Sequence, residues 1–140
     1  MSPRYILDTD HVSLYQRRHP QVVVRVLATA PVDLAVTTIT LGEQVQGRLA
    51  VIRQARSQPD AARGYLRLRE TVEFYQAIQL VDYTTAAVDY FEELRRQGTR
   101  IGTQDLRIAA IALAKGSILV SRNTRDFAQV PGLTLEDWAS

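Results

Sequence analysis

The amino-acid sequence predicts an α/β protein whose sheet is mainly parallel and carries helices on both faces. Short apolar runs of strand length alternate with longer segments in which apolar residues recur every three or four positions. Such alternation is typical of strands joined by crossover helices. Residues 101–114 also form a helix-like segment that is apolar on most sides, so it should lie in the interior. A length of 140 residues fits one domain.

Several apolar runs are predicted to be strands. The first is Arg4–Leu7, and the second lies within Val32–Val36. Ser117–Ser121 is predicted as a buried strand, and Val130–Leu135 allows one last short strand. Residues 80–83 are either a further short strand or the lead-in to a helix. The strands are therefore short and well separated along the chain.

Between the strands, threonine, proline and glycine mark the predicted ends of helices. A helical stretch continues after Pro20 and is broken by Pro31, and another helix restarts at Pro59-Asp60. Gly98 ends a later helix. The predicted N-caps of the remaining helices are Thr38 or Thr40, Thr84 or Thr85, and Gly102 or Thr103.

Acidic residues follow strands or open helices, so they occupy equivalent places in the predicted fold. These residues are Asp8 after the first strand, Glu43 in the helix after the second, Asp105 in the first turn of the apolar helix, and Asp126 after the strand 117–121. Right-handed crossovers bring the carboxyl ends of parallel strands to one edge, so we expect these carboxylates to converge. Carboxylates packed together need a counter-charge, and all-oxygen ligands select hard cations such as Mg²⁺ or Mn²⁺.

Two of these acids also have a purely structural interpretation. Asp105 could be stabilised by the positive end of its helix dipole, by about 0.3–1 kcal/mol. Glu43 could be the capping-box partner of Thr40, three residues before it. The sequence by itself leaves both interpretations open.

Composition excludes several classes of site. The chain has no cysteine, which excludes disulfides, thiolate metal sites and cysteine nucleophiles. No apolar run approaches the roughly 20 residues that span a bilayer, and the N-terminus lacks the form of a signal peptide, so we expect a cytoplasmic protein without membrane contact. All basic residues except Lys115 are arginine, which suits phosphate contacts, although codon bias explains the same composition.

The chain resembles PIN-domain ribonucleases of the VapC type, which are the toxins of toxin–antitoxin pairs. The matching segments stand in the family's order and cover nearly the whole chain; they are Ile6–Asp10, Thr40–Glu43, Ile101–Ala110 and Ser121–Phe127. The resemblance implies a single PIN domain over residues 1–140, with a three-layer α/β/α fold around a mainly parallel sheet of short strands.

The resemblance also implies roles for individual residues. The catalytic acids would be Asp8, Glu43, Asp105 and Asp126, of which Asp8, Asp105 and Asp126 would hold Mg²⁺, or Mn²⁺ in its place. Auxiliary roles would fall to Asp10, Ser121 and Asn123. Asp10 stands where the family often has Asn and is either an auxiliary acid or a helix cap. Asn123 competes with Asp126 for the same part of the motif.

The implied reaction is metal-assisted hydrolysis of RNA phosphodiester bonds, and the implied partners are a cognate antitoxin and a second copy in a homodimer. Basic residues must surround an acidic site that receives a polyanion. The candidates near the motifs are Arg17, Arg18, Arg48, Arg100, Arg122 and Arg125, for each of which a solvated surface role is an equal alternative.

An antitoxin groove is predicted between the two helices that follow the second strand. These helices, 40–56 and 60–78, carry more apolar residues than one inward-facing stripe needs. The surplus residues are Val51, Tyr65, Leu66 and Tyr75. The simpler interpretation is that the two helices pack on each other.

Three other functions stay open from the sequence. Asp8-Thr9-Asp10 resembles the nucleophile motif of haloacid-dehalogenase-like phosphotransferases, but Lys115 is the only lysine available for that chemistry. A non-catalytic PIN-like RNA-binding module would be expected to lack some of the acids, all of which are present here. A PIN nuclease that acts on DNA is the third alternative.

Overall fold

The computed structural model describes residues 2–140, and Met1 lies outside the described residues. Across this range the chain forms a five-stranded, all-parallel sheet with the spatial order β3-β2-β1-β4-β5. The strands are β1 (Tyr5–Leu7), β2 (Leu34–Thr37), β3 (Gln79–Val81), β4 (Ile118–Val120) and β5 (Leu135–Glu136). The predicted parallel α/β architecture is confirmed, and the segment 80–83 contributes a strand.

Helices cover both faces of the sheet. They are α1 (Thr9–Gln16), α2 (Pro20–Ala28), α3 (Thr38–Arg53), α4 (Gln58–Ala77), α5 (Thr85–Arg96), α6 (Thr103–Lys115) and the short α7 (Thr124–Phe127). A 3₁₀ turn, Pro31–Asp33, leads into β2. No helix within residues 2–140 is long and apolar enough to cross a membrane.

Neighbouring residues of the three central strands, β1, β2 and β4, point into two separate cores. Ile6 of β1 belongs to the core that α5, α6 and α7 close, whereas Leu7 belongs to the core under α1, α2 and α4. This division follows from the two-residue period of a strand. The predicted interior position of α6 is confirmed, because Leu106 and the run Ile108–Ala112 are buried. The result is the three-layer α/β/α arrangement that the sequence predicted.

The predicted start of α3 is wrong, whereas those of α5 and α6 are confirmed. Thr37, the last residue of β2, is the N-cap of α3, and its Oγ1 accepts a hydrogen bond from the Thr40 N–H at 3.1 Å. The strand runs directly into the helix, so neither Thr38 nor Thr40 is the cap. Gly102 is the N-cap of α6, and Thr103 is already helical, so its hydroxyl does not cap. Thr84 caps α5 as predicted.

The order of the strands creates a crevice at the centre of the sheet. From β1 the chain proceeds outward to β2 and β3, and then returns to the other side of β1 with β4 and β5. The direction of winding thus reverses between β1 and β4. Open α/β sheets bind their ligands at such a reversal, outside the carboxyl ends of the strands. This is where Asp8 and Ser121 follow their strands.

Candidate active site

Asp8 and Ser121 join the two strands that flank the crevice. The Asp8 N–H donates to the Val120 carbonyl at 2.9 Å, which extends the pairing of β1 with β4 by one residue. The Ser121 hydroxyl donates to Asp8 Oδ2 at 2.7 Å. Both residues are buried, with Asp8 5% exposed and Ser121 0%. The predicted auxiliary residue Ser121 therefore fixes the orientation of the Asp8 carboxylate.

The Asp8 carboxylate is buried with one oxygen free. Within the described chain, its Oδ1 has no hydrogen-bond partner. Burial is the main cause that raises the pKa of Asp8 from 3.8 to about 7, and the Asp10 carboxylate adds to it, while the bond from Ser121 works against it. An ionised carboxylate is costly to bury without a partner, and this oxygen is available to accept one.

The raised pKa of Asp8 predicts an unusual dependence of stability on pH. The folded protein keeps the Asp8 proton up to about pH 7, whereas the unfolded chain loses it near 3.8. Because the folded state binds more protons in this window, the free energy of unfolding should fall as the pH rises through it. We expect the loss to reach a few kcal/mol by pH 8 in metal-free buffer.

The variant Asp8→Asn isolates this contribution, because the amide does not ionise. Above pH 7 and without divalent cations, we expect the variant to be more stable than the wild type. Denaturant unfolding of both proteins in EDTA, at pH 5 and pH 8, measures the difference. If the free energy of unfolding changes equally in the two proteins between pH 5 and pH 8, then Asp8 is not the cause of the pH dependence.

Glu43 is held by a chain of threonine hydroxyls. The Thr9 Oγ1 donates to Glu43 Oε1 at 2.8 Å and lies 3.0 Å from the Thr40 hydroxyl. Since α3 begins at Thr38, Glu43 lies in its second turn and not in the capping position. The capping-box interpretation of Glu43 is therefore wrong. Thr9 was missed from the sequence, although it stands between the two acids of the first motif.

Asp105 lies at the start of α6 and close to the other acids. Burial raises its pKa most, and the carboxylates of Glu43, Asp126 and Asp10 raise it further, in that order. A helix dipole alone would lower the pKa of an acid in the first turn. Burial and negative neighbours both act on the pKa of Asp105 in the opposite direction. Asp105 is therefore part of an acid cluster and not only a dipole-stabilised residue.

Asn123 supports Asp126 instead of replacing it. The Asn123 Nδ2 donates to Asp126 Oδ2 at 3.2 Å, and the Asn123 N–H donates to the Ser121 hydroxyl at 3.0 Å. Both residues therefore belong to the site, with Asn123 tying α7 to the end of β4. The sequence had placed both in the site, Asp126 as a catalytic acid and Asn123 as an auxiliary residue that competes for the same part of the motif.

Asp10 accepts hydrogen bonds on both carboxylate oxygens. Its Oδ2 accepts from the Arg122 N–H at 3.0 Å and lies 3.4 Å from the Ser121 hydroxyl. Its Oδ1 lies 2.9 Å from Nδ1 of His11, a fully buried side chain that the sequence interpretation missed. The alternative that Asp10 serves as a helix cap is wrong, because Asp8 occupies the N-cap position of α1.

The acid cluster fits a hard cation that keeps several water ligands. In residues 2–140, no group of three or more His, Cys, Asp or Glu side chains has an arrangement that could hold a metal ion by itself. Mg²⁺ does not require one, since it is usually bound through one or two carboxylates, waters and substrate phosphates. The free Oδ1 of Asp8 and the raised pKa of Asp105 both fit such an ion.

The six arginines predicted to contact RNA do not have equivalent positions. Arg48 is partly buried, and its guanidinium donates to the Thr71 hydroxyl at 2.9 Å and to Gln16 Oε1 at 3.2 Å. It thus links α1, α3 and α4. The remaining five are exposed; they are Arg17, Arg18, Arg100, Arg122 and Arg125. Arg122 adjoins the acids, because its own N–H binds Asp10.

A concave surface lies between α2 and α4, and a separate one of about 660 Å³ lies along α3 and α4. Two adjoining cavities of about 800 and 370 Å³ share Tyr15 and Phe74 in their lining. Val24 and Leu27 of α2 line them while remaining 65% and 72% exposed. We call this surface the α2–α4 groove.

The helices α3 and α4 pack directly against each other. A Cβ atom at Gly64 would approach Cγ1 of Ile52 to 2.8 Å, so the helices can come this close only with glycine there. Val51, Tyr65 and Leu66 face outward, but Tyr75 is buried and donates to Gln44 Oε1 at 2.7 Å. A concave surface lined by Val51 and Leu66 nevertheless lies along these two helices, as predicted, and its occupation by an antitoxin stays a prediction. The placement of Tyr75 on it is wrong.

A family model and the similar proteins all match this chain over nearly its full length. A family model described as PIN domain matches residues 5–133. The tRNA(fMet)-specific endonuclease VapC of Salmonella typhimurium is 25% identical over 139 residues, which cover 96% of this chain and 98% of that protein. Ribonuclease VapC2 of Haemophilus influenzae is 29% identical, with 96% and 98% covered.

Solved structures match over the same range. The DNA-bound VapBC of Salmonella typhimurium has a TM-score of 0.76 at 25% identity and covers 97% of this chain and 98% of its own. A toxin–antitoxin complex from Klebsiella pneumoniae has a TM-score of 0.69 at 22% identity, with 93% and 95% covered, and this likeness supports the fold alone.

Proposed function

The chain belongs to the PIN domain family, and from this premise we propose that it is an endoribonuclease and the toxin of a toxin–antitoxin pair. One observation carries the proposal: a buried carboxylate with a free oxygen, Asp8, stands among further acids at the reversal point of the sheet. The relatives named as VapC ribonucleases match the chain over nearly its full length. Family membership also makes the haloacid-dehalogenase-like alternative wrong.

We propose that Asp8, Asp105 and Asp126 hold one or two Mg²⁺ ions, with Mn²⁺ as a substitute. When bound, such a cation lowers the pKa of the attacking water and offsets the charge on the phosphate oxygens. Ser121 keeps Asp8 oriented, and Asn123 keeps Asp126 oriented. Glu43, held on one oxygen by Thr9, orients the water for in-line attack on the phosphorus. No covalent enzyme intermediate forms.

The substrate we propose is single-stranded or looped RNA, whose backbone can bend into a recessed acidic site. Incubation of the purified, antitoxin-free protein with total RNA, in Mg²⁺ or in EDTA, tests the proposal. Discrete cleavage that requires the cation supports it. Binding of RNA without cleavage would favour the non-catalytic module, and equal cleavage of single-stranded DNA would favour the broader nuclease. We place the protein in the cytoplasm, where RNA is available to it.

The exposed arginines should set the salt dependence of RNA binding. Single changes to alanine at Arg100, Arg122 and Arg125 should weaken binding and lower the slope of log K against log salt by about one per lost phosphate contact. Binding is best measured in an Asp105→Asn background, in which the RNA stays intact. By contrast, Arg48→Ala should mainly lower the melting temperature, since Arg48 bridges three helices.

Arg69→Ala provides the matched control, because Arg69 is an exposed arginine of α4 outside the acid motifs. If the slope changes as much for Arg69 as for Arg122, then general surface charge accounts for binding. If no variant changes the slope, codon bias is the better explanation of the arginine content.

The antitoxin partner is proposed to occupy the α2–α4 groove. The groove joins apolar side chains, including Val24 and Leu27, with the guanidinium groups of Arg18, Arg48 and Arg67 along its wall. A partner segment with an apolar face and acidic residues complements this surface. We further propose that the protein forms homodimers, which sedimentation of the purified chain would detect.

A further inference from the structure

His11 is a fully buried histidine that touches the acid cluster on one side and the C-terminal segment on the other. Its Nδ1 lies 2.9 Å from Asp10 Oδ1. Its Nε2 lies 3.1 Å from the backbone nitrogen of Trp138, which is 127 residues away along the chain. The exposed fraction of His11 is 0%. A polar ring so placed connects two distant parts of the protein.

The Trp138 contact determines which ring nitrogen of His11 carries the proton. A backbone N–H can only donate, so Nε2 must offer its lone pair to the Trp138 N–H. The neutral ring then carries its hydrogen on Nδ1, and this hydrogen is donated to Asp10 Oδ1. Asp137 Oδ1 lies 3.5 Å from the same Nε2, farther away than the Trp138 nitrogen.

The Asp10 carboxylate accepts a hydrogen bond on each of its two oxygens, and His11 supplies one of the two donors. Oδ2 accepts from the Arg122 N–H, and Oδ1 accepts from His11. An asparagine at position 10 would present its NH₂ group to one of these two donors. The family that this chain resembles often has asparagine at this position. Aspartate is explained here by the histidine that follows it, because that histidine requires an acceptor.

The C-terminal segment that holds His11 is firmly anchored. Trp138 is 2% exposed, and its ring packs edge-on against Tyr5 at a centroid distance of 5.1 Å. Its Nε1 donates to Glu136 Oε1 at 2.9 Å, and the Arg25 guanidinium lies 4.8 Å from the ring centre. The backbone of the segment is therefore fixed, and so is the N–H that meets His11.

We propose that His11 is a positioning residue for the acid cluster, with its tautomer set by the Trp138 N–H of the C-terminal segment. Through Nδ1–H it holds Asp10 in the orientation that also accepts from Arg122 and faces Ser121, which in turn orients Asp8. This role rests on the proposed ribonuclease function, but the hydrogen-bond chain itself does not. The C-terminal segment thereby becomes part of the active site.

Two substitutions separate the two ends of the ring. In His11→Asn, the side-chain amide nitrogen occupies the place of Nδ1 and still donates to Asp10. In His11→Gln, the amide reaches the place of Nε2 and still accepts from Trp138, but the donor to Asp10 is lost. We expect His11→Gln to lower kcat for RNA cleavage by about 10- to 100-fold with an unchanged KM, as for other residues that orient site carboxylates.

His11→Asn should keep a rate closer to the wild type than to His11→Gln, although its melting temperature should fall more, because the buried Trp138 N–H loses its partner. A merely structural role predicts that activity follows the melting temperature, which is the reverse order. His19→Asn serves as the control, since asparagine preserves the N-cap that His19 provides to α2. Equal rates for the two His11 variants would overturn the proposal.

The tautomer of the His11 ring can be determined without any RNA. The chain has two histidines, and long-range ¹H–¹⁵N correlation spectra of the ring nitrogens, assigned with His19→Asn, distinguish Nδ1–H from Nε2–H forms. We expect His11 in the neutral Nδ1–H form. An Nε2–H or doubly protonated ring would overturn the proposal even if the protein cleaves RNA. The expected tautomer in a protein without ribonuclease activity would instead overturn the proposed function alone.

Discussion

Asp8→Asn and Asp105→Asn are each expected to lower the rate of RNA cleavage by about a thousandfold while leaving the protein folded. Both changes are nearly isosteric, and each removes one of the charges that would hold the cation. Loss of metal assistance costs several kcal/mol of transition-state stabilisation, and each 1.36 kcal/mol is about tenfold in rate. Single-turnover cleavage of a defined RNA in saturating Mg²⁺ measures the effect.

Asp89→Asn is a suitable control for these variants, because Asp89 is an exposed acid on α5. Its rate should match the wild type. The melting temperatures must be measured alongside, and in metal-free buffer above pH 7 we expect that of Asp8→Asn to be raised and not lowered. Near-normal Mg²⁺-dependent cleavage by either Asp8→Asn or Asp105→Asn would refute the assignment of the metal site.

Val24→Asp and Leu27→Asp are expected to weaken antitoxin binding by roughly 100-fold each, since a charge would replace an apolar contact at the centre of the α2–α4 groove. The reading frames next to the gene are co-expressed with it, and a small protein that co-purifies with the chain is taken as the antitoxin. The wild-type complex should be stable and inactive. The variants should dissociate during purification and cleave RNA as fast as the free wild-type protein.

Val51→Asp and Leu66→Asp are the matched comparison, because these residues are similarly exposed, at 59% and 56%, and line the separate concave surface along α3 and α4. They should leave the complex intact. Release of the antitoxin by Leu66→Asp but not by Val24→Asp would place the partner on α3 and α4 after all. A stable complex that still cleaves RNA would contradict inhibition by the antitoxin.

The architecture could be predicted from the sequence because its signals are local. The central strands β1, β2 and β4 lie in short apolar runs, and the nearly continuous apolar sequence of α6, which includes Ile108 and Ile111, predicts that this helix is buried. The convergence of the acids followed from the parallel order of the strands, since every strand end lies at the same edge. The start of α3 was misplaced because β2 enters the helix without a loop, so the last strand residue, Thr37, is also the cap.

Ser121 and Asn123 were predicted as supporting residues of the site, but others could not be predicted, because their contacts join distant parts of the chain. Thr9 meets Glu43 across 34 positions, and His11 meets Trp138 across 127. Helical periodicity could not show that Tyr75 is buried, since its position depends on the partner Gln44 in another helix. The bridging position of Arg48 could not be predicted for the same reason, because proximity to a motif does not reveal which way a side chain turns.

The chemical nature of the cut ends tests the central claim most directly. Hydrolysis by water, assisted by a cation in the acid cluster, predicts fragments with a 5′-phosphate and a 3′-hydroxyl, formed in Mg²⁺ and absent in EDTA. Attack by the RNA's own 2′-hydroxyl would leave a 2′,3′-cyclic phosphate and a 5′-hydroxyl instead. Fragments of the first kind, lost in Asp105→Asn, are the result expected here. Cyclic-phosphate ends that persist in EDTA would contradict a metal-dependent carboxylate site.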